Sequence, residues 1–108
     1  MASITTPYRP RLGAHVPTSG GMVKRSITYA QTIEAEAIQV FASSPRAWAM
    51  PTPNPEADKA FRDRAEELDI ETYVHASFLI NLGSPTVATY ENSRPRCNEY
   101  AVAANEFS

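Results

Sequence analysis

The chain has 108 residues, of which 43% are hydrophobic and 20% are charged, and its formal net charge is -2. This composition is typical of one globular domain, and the balanced charge excludes a global attraction to nucleic acid. Cys97 is the only cysteine, which excludes an intramolecular disulfide and favours a reducing compartment. Because we find neither a signal-peptide pattern nor an apolar run of about 20 residues, we expect a cytoplasmic protein.

The first predicted strand covers residues 11–16 and follows a polar stretch, residues 1–10, that we expect to form a flexible leader. Gly13 lies inside this strand. Glycine in a strand often marks the close approach of another backbone, so we expect one here. Pro17 ends the strand because it has no N–H for the sheet.

A glycine pair, Gly20 and Gly21, forms the turn that leads into the first predicted helix, over about residues 22–35. Apolar residues recur there at helical spacing and predict one buried face, made of Val23, Ile27, Ala30 and Ile33.

The second predicted strand covers residues 37–42 and is rich in β-branched and aromatic residues. A loop with four prolines follows, over residues 43–55. Loops of about 12 residues or more in a compact domain tend to be functional. The second predicted helix then covers residues 55–68.

The third predicted strand, residues 71–76, has His75 at its end, and a third helix is predicted to begin near Thr86. The pattern is therefore strand-helix repeated, which predicts an α/β fold with parallel strands joined by right-handed crossovers. In such folds, functional side chains lie at the carboxyl ends of the strands. We therefore expect His15, His75 and the proline-rich loop at one edge of the sheet.

Three motifs in this order carry a family resemblance over residues 11–93. They are Gly13-Ala14-His15-Val16 followed by Gly20-Gly21, then Gln39-Val40-Phe41 followed by Pro45-Arg46-Ala47-Trp48, and finally His75-Ala76-Ser77-Phe78-Leu79-Ile80-Asn81-Leu82-Gly83-Ser84-Pro85. Together they resemble the endonuclease IV family of apurinic/apyrimidinic endonucleases. The resemblance implies the first three βα units of a TIM (β/α)8 barrel of the xylose isomerase-like type, truncated.

The resemblance also implies a function, namely cleavage of the phosphodiester 5′ of abasic sites in DNA with the help of three zinc ions. By the same resemblance His75 is the first zinc ligand, and Arg46 belongs to a loop that inserts into DNA. Phe78 stands where the family usually has a tyrosine that packs against DNA, so stacking is kept and a hydroxyl is lost. Three further residues are implied to lie near the DNA backbone: His15, Gly20 and Gly21.

Residues 94–108 do not resemble the family, and Pro95 is predicted to break the family's long third helix. A frameshift or a misassigned reading frame would explain such a tail. A TIM barrel takes about 250 residues, so the later zinc ligands have no counterpart here. We therefore expect the chain by itself to be inactive, to hold no zinc, and to associate or aggregate through its exposed sheet.

Other interpretations of these features remain open. The chain could derive from another metal-dependent TIM-barrel enzyme, such as a sugar isomerase or epimerase, or be a truncated product without function. The two histidines, His15 and His75, could be structural hydrogen-bonding residues. Gly20 and Gly21 could form an ordinary helix-entry turn, and Arg46 could simply stack on Trp48.

Overall fold

A computed structural model of the chain describes residues 9–107 and contains three successive βα units. The strands are β1 (Gly13–His15), β2 (Ala37–Phe41) and β3 (Glu71–His75), which form one parallel sheet in the order β1-β2-β3. The α/β prediction with parallel strands is therefore confirmed. Of the predicted leader, residues 1–8 lie outside the described residues. No helix of the described part of the chain is long and apolar enough to cross a membrane.

The helices also alternate with the strands as predicted. Helix α1 is π-helical over Met22–Ile27 and α-helical over Thr28–Thr32, α2 covers Pro55–Glu67, and α3 covers Val87–Phe107. The helices pack on one face of the sheet around a single core, whose buried members are Val16, Ile27, Ala30, Ile38, Val40, Phe61, Ala65 and Phe107. Successive strand residues point to opposite faces, so Gln39, Phe41, Tyr73 and His75 lie on the other face.

The close approach predicted at Gly13 is present between β1 and β2. Gly13 is paired with Ala37, and a Cβ on Gly13 would lie 1.7 Å from the backbone oxygen of Ala37. No side chain fits at that distance, so β1 can approach β2 this closely only with glycine at position 13.

The predicted apolar face of α1 is only half correct. Ile27 and Ala30 are buried, but Val23 and Ile33 are 36% and 42% exposed. Val23 lies in the π-helical first part, in which hydrogen bonds join residues five apart and shift the side chains away from a 3.6-residue period. Ile33 follows the last α-helical residue, Thr32, and so lies beyond the regular part of the helix.

Helix α2 follows its sequence pattern closely. Pro55 occupies the first turn, where its missing N–H costs nothing, and the Asn54 side chain accepts a hydrogen bond from the Ala57 N–H at 3.2 Å. The exposed side carries an ion pair between Lys59 and Asp63. These local signals agree with one another, which explains why the sequence predicted this helix well.

Helix α3 corrects one prediction, since it runs from Val87 to Phe107 with Pro95 inside it. The helix is held on both sides of this proline. On one side, the Ser93 hydroxyl donates to the Thr89 carbonyl at 2.7 Å and accepts from the Asn81 N–H at 2.9 Å. On the other side, Phe107 is buried in the core. These contacts offset the hydrogen bond that Pro95 removes. The proposed domain boundary after residue 93 stays a prediction.

The amino-terminal edge of the sheet carries a group of ion pairs. Arg9 forms two hydrogen bonds with the Glu36 carboxylate, at 2.9 and 2.6 Å. Arg11 donates to the backbone oxygen of Asp69 at 2.6 Å and to its carboxylate at 3.0 Å. The guanidinium of Arg11 thus connects the residues that lead into β1 and β3. These contacts lie at the amino-terminal ends of the strands, opposite the carboxyl ends that carry His15 and His75.

We expect stability to fall in acid because of Glu36. The hydrogen bond from Arg9 holds the pKa of Glu36 below its ordinary value of 4.5. A lowered folded-state pKa contributes stability that is complete above the unfolded-state pKa and is lost as pH falls through the folded-state value. Urea unfolding at a series of pH values should show a smaller acid loss for Glu36→Gln than for the unchanged chain. Glu34→Gln is the control, because Glu34 is exposed and pairs with no cation within residues 9–107; an equal change in both variants would contradict the prediction.

Candidate functional site

Four rings meet at the carboxyl ends of the strands, on the sheet face that the helices leave open. The His15 and His75 ring centroids are 6.4 Å apart, and Phe41 lies between them at 4.5 and 5.1 Å. Phe78, from the loop after β3, lies 5.7 Å from His75 and 5.5 Å from Phe41. The structure therefore brings both predicted histidines and Phe78 into one cluster.

The ring of His75 has a defined tautomer. Its Nδ1 lies 2.6 Å from the backbone oxygen of Ala76. A carbonyl oxygen can only accept, so Nδ1 carries the proton and donates it. The lone pair of Nε2 is then available to a metal ion. Histidine ligands in metal sites are commonly oriented in this way, by donating the other ring N–H to a backbone carbonyl.

His15 is held more weakly. Its Nδ1 lies 3.4 Å from Oε1 of Gln39, the residue opposite it on β2, and the ring is exposed. At this length the hydrogen bond is marginal, and the ring also makes a tilted contact with Phe41. His15 therefore presents a ring nitrogen at the open edge of the site.

Two loops are joined directly beside this ring cluster. The backbone oxygen of Pro45 accepts from the Ser77 hydroxyl at 2.9 Å and from the Phe78 N–H at 2.7 Å. Ser77 is buried, whereas Phe78 is 59% exposed and Arg46 is exposed. Pro45, the residue before Arg46, is thus bonded directly to Phe78. The side chains of Arg46 and Phe78 therefore extend from two loops that are joined to each other.

The alternative interpretation of Arg46 as a stacking partner of Trp48 finds no support. Within residues 9–107 the arginine found over an aromatic ring is Arg94, at 5.7 Å from the centre of Tyr90. The Trp48 backbone oxygen instead accepts a hydrogen bond from Nε of Arg96 at 2.5 Å.

The glycine pair forms an open helix entrance. Gly20 and Gly21 have φ angles of 98° and 107°, which side chains other than glycine rarely adopt. Gly21 is the N-cap of α1, and a Cβ there would meet no atom within 4 Å. The first turn has no acidic residue, while Lys24 and Arg25 follow in α1. Free N–H groups at the start of a helix attract anions, and an ordinary helix-entry turn has the same geometry.

A complete metal site does not form within the described part of the chain. Residues 9–107 hold no group of three or more His, Cys, Asp or Glu side chains that could bind a metal ion. His75 can supply one donor, whereas zinc sites in proteins use about four.

The sequence pattern did not single out Phe41 and Ser77. Phe41 is paired with His75 across the sheet, and Ser77 fixes one loop to the other. The alternation of β2 could have placed Phe41 on the same face as His75. No sequence signal identifies the Ser77 bond, because its partner is a backbone oxygen 32 residues away.

Similar proteins give this geometry a context. The chain is 46% identical over 92 residues to a protein of Streptomyces coelicolor named "Probable endonuclease 4", a match that covers 85% of this chain and 31% of that protein. A protein of Streptomyces avermitilis with the same name is 47% identical over 85 residues, covering 79% and 27%. The crystal structure of endonuclease IV from Thermus thermophilus matches with a TM-score of 0.79 and 29% identity, covering 91% of this chain and 37% of that chain.

These matches are partial in length. The chain spans about a third of each protein that it matches. No family model matches the chain. The three parallel βα units correspond in fold to part of the endonuclease IV barrel of Thermus thermophilus.

Proposed function

We propose that this chain, which belongs to the endonuclease IV family, forms part of the DNA-binding surface of a zinc-dependent repair endonuclease that acts at abasic sites. The chain spans about a third of the length of the family members that it matches. In this proposal the complete protein cleaves the phosphodiester 5′ of an abasic site. The described residues supply one zinc ligand and several DNA contacts, and they do not carry out the reaction by themselves.

The observation that supports this proposal best is the junction of the two loops beside the histidines. Pro45 is bonded to Ser77 and Phe78, so Arg46 and Phe78 extend from one surface next to His75. A cation and an exposed aromatic ring side by side suit a nucleic acid, since arginine binds phosphate and a phenyl ring can stack on a base or on the gap beside a lesion. The histidine then lies where the DNA backbone would pass.

DNA binding here has to be local because the chain is acidic overall. We assign the grip to Arg46 and Phe78, and the backbone contacts to His15 and to the N–H groups at Gly20 and Gly21. The open glycine turn has room for a phosphate, and the adjacent α1 carries Lys24 and Arg25 rather than acids in its first part.

His75 fits the role of a zinc ligand, because its Nδ1 proton is engaged by the Ala76 carbonyl and Nε2 is left for the metal. The remaining donors must come from outside residues 9–107. Zinc, when bound, supplies a Lewis acid for charge that develops on the phosphate. The described residues orient the DNA and hold the histidine.

Arg46→Ala is expected to weaken binding to an abasic-site oligonucleotide by about tenfold, the factor for loss of a charge-assisted hydrogen bond. Fluorescence anisotropy at low salt measures the dissociation constant, and metal analysis measures zinc in a longer relative that carries the same change. The zinc content should stay the same, because Arg46 extends from the loop and is not a metal donor.

Arg64→Ala is the matched control for this experiment. Arg64 lies on α2 and pairs with Glu67 at 3.1 Å, away from the two loops. Equal losses of affinity in the two variants would show that only net charge matters, and a parallel loss of zinc would show that the loop is structural.

A further inference from the structure

One face of α3 contacts both loops of the candidate site. Ser93, Arg96 and Tyr100 are three and four residues apart, so they project from the same side of the helix. Ser93 bonds to the loop after β3, while Arg96 and Tyr100 bond to the loop after β2. The two loops thus share a support that lies behind them, away from the open face.

The contact of Arg96 is the most specific of the three. Its Nε donates to the backbone oxygen of Trp48 at 2.5 Å, and its Nη1 donates to the Glu99 carboxylate at 2.8 Å. Glu99, one turn further along the helix, therefore keeps the guanidinium turned towards the loop. A charged donor on a backbone oxygen makes a stronger hydrogen bond than a neutral one.

The other two contacts are buried. Tyr100 is 7% exposed, and its hydroxyl forms a hydrogen bond with the hydroxyl of Ser43, at the start of the loop. Ser93 is fully buried and accepts from the Asn81 N–H at 2.9 Å. Buried hydrogen bonds of this kind are costly to leave unmade, so they restrict where each loop can lie.

The loop after β2 needs such support because it can do little to hold itself. Three of its residues are prolines, Pro45, Pro51 and Pro53, which have no N–H to donate. Its internal hydrogen bonds around Arg46 are long, 3.3 Å from the Ala47 N–H to the Ser44 oxygen and 3.4 Å from the Arg46 N–H to the Ser44 hydroxyl. External bonds at Ser43 and Trp48 therefore fix the loop on both sides of Arg46.

We infer that Arg96 and Tyr100 are positioning residues, which hold the loop after β2 so that Arg46 faces DNA. Both belong to residues 94–108, the segment that the sequence assigned to a tail outside the family resemblance. The DNA part of this inference rests on the proposed function. The positioning of the loop does not, and it can be measured without DNA.

Trp48 makes the loop directly observable, since it is the only tryptophan of the chain. Arg96→Met keeps the length of the side chain and removes its donors. We expect local opening of the loop to increase about tenfold, the factor for loss of a charge-assisted hydrogen bond, and acrylamide quenching of Trp48 to rise accordingly. Arg96→Lys keeps a charge and a donor, so its Trp48 quenching should lie between that of the unchanged chain and that of Arg96→Met. Tyr100→Phe keeps the ring packing and should raise quenching less.

Arg94→Met is the matched control, because Arg94 lies on the same helix, carries the same charge and contacts Tyr90 and Glu91 instead of the loops. Its Trp48 quenching should equal that of the unchanged chain. Equal quenching in the Arg94 and Arg96 variants, at equal helix content by circular dichroism, would overturn the inference.

Affinity for an abasic-site oligonucleotide then tests the connection to Arg46. If Arg96 acts by positioning Arg46, each single variant loses affinity and the double variant loses no more than Arg46→Ala alone. Additive losses would mean that Arg96 acts on DNA through its own charge, and they would overturn its positioning role. If Arg96→Met raises Trp48 quenching but the unchanged chain binds no abasic-site DNA at all, the positioning role of Arg96 would be supported and the proposed function contradicted.

Discussion

Replacing Gly13 with alanine is expected to abolish cooperative folding of the chain. The added Cβ would lie 1.7 Å from the Ala37 oxygen and 2.5 Å from the Ala37 carbonyl carbon. Both are backbone atoms of the paired strand, so no rotamer change can relieve the overlap. β1 must then move away from β2 and give up its ladder. The cost should be several kcal/mol, a large part of the roughly 5–15 kcal/mol that stabilises a typical domain.

Gly83→Ala is the control for this change. A Cβ there would meet nothing closer than the Asn81 side-chain oxygen at 3.6 Å, an ordinary contact. Urea unfolding followed by circular dichroism should give a normal transition for the Gly83 variant and none for the Gly13 variant. A Gly13→Ala chain that unfolds at the urea concentration of the unchanged chain would show that β1 is not held against β2 in this way.

The sheet could be predicted from the sequence because its signals are local and agree with each other. Gly13, the apolar strands and the Pro55-initiated helix each favour one local structure, and the alternation of strands and helices then selects a parallel sheet. The rule that functional side chains lie at the carboxyl ends of parallel strands predicts His15 and His75 at the same end of the sheet, and their ring centroids are 6.4 Å apart.

The error at Pro95 arose because tertiary contacts override a local rule. Pro95 should end a helix, yet α3 continues through it because Ser93 and Phe107 are held on either side. Val23 and Ile33 fit a helical period, yet both are exposed, since Val23 lies in the π-helical start of α1 and Ile33 follows its last α-helical residue. No pattern of residue types along the chain records these contacts.

The candidate site shows the same division. Motifs identified Arg46, His75 and Phe78 one by one, but the bonds that arrange them involve backbone oxygens of Pro45, Trp48 and Ala76. Any residue has a backbone oxygen, so sequence cannot show that it is used. The positions that connect the loops, Ser77 and Arg96, became visible only through geometry.

The 108-residue chain alone is expected neither to retain zinc nor to nick abasic-site DNA. His75 provides one nitrogen donor, and the described residues contain no cluster of three potential ligands around it. Because zinc sites use about four donors, metal analysis after dialysis should find no stoichiometric zinc. Without a bound Lewis acid, the acceleration of at least about a millionfold that is typical of enzymes should be absent.

A nicking assay on an abasic-site duplex with added zinc checks this expectation, with an endonuclease IV of full length as the positive control. His75→Ala should leave the background rate of the chain unchanged, since a single donor that holds no metal contributes nothing to the rate. Zinc-dependent nicking that disappears in His75→Ala would contradict the prediction. It would require the missing donors to come from a second copy of the chain, since residues 9–107 hold no cluster of three potential ligands. Such a copy could pair along the edges that β1 and β3 leave open within these residues.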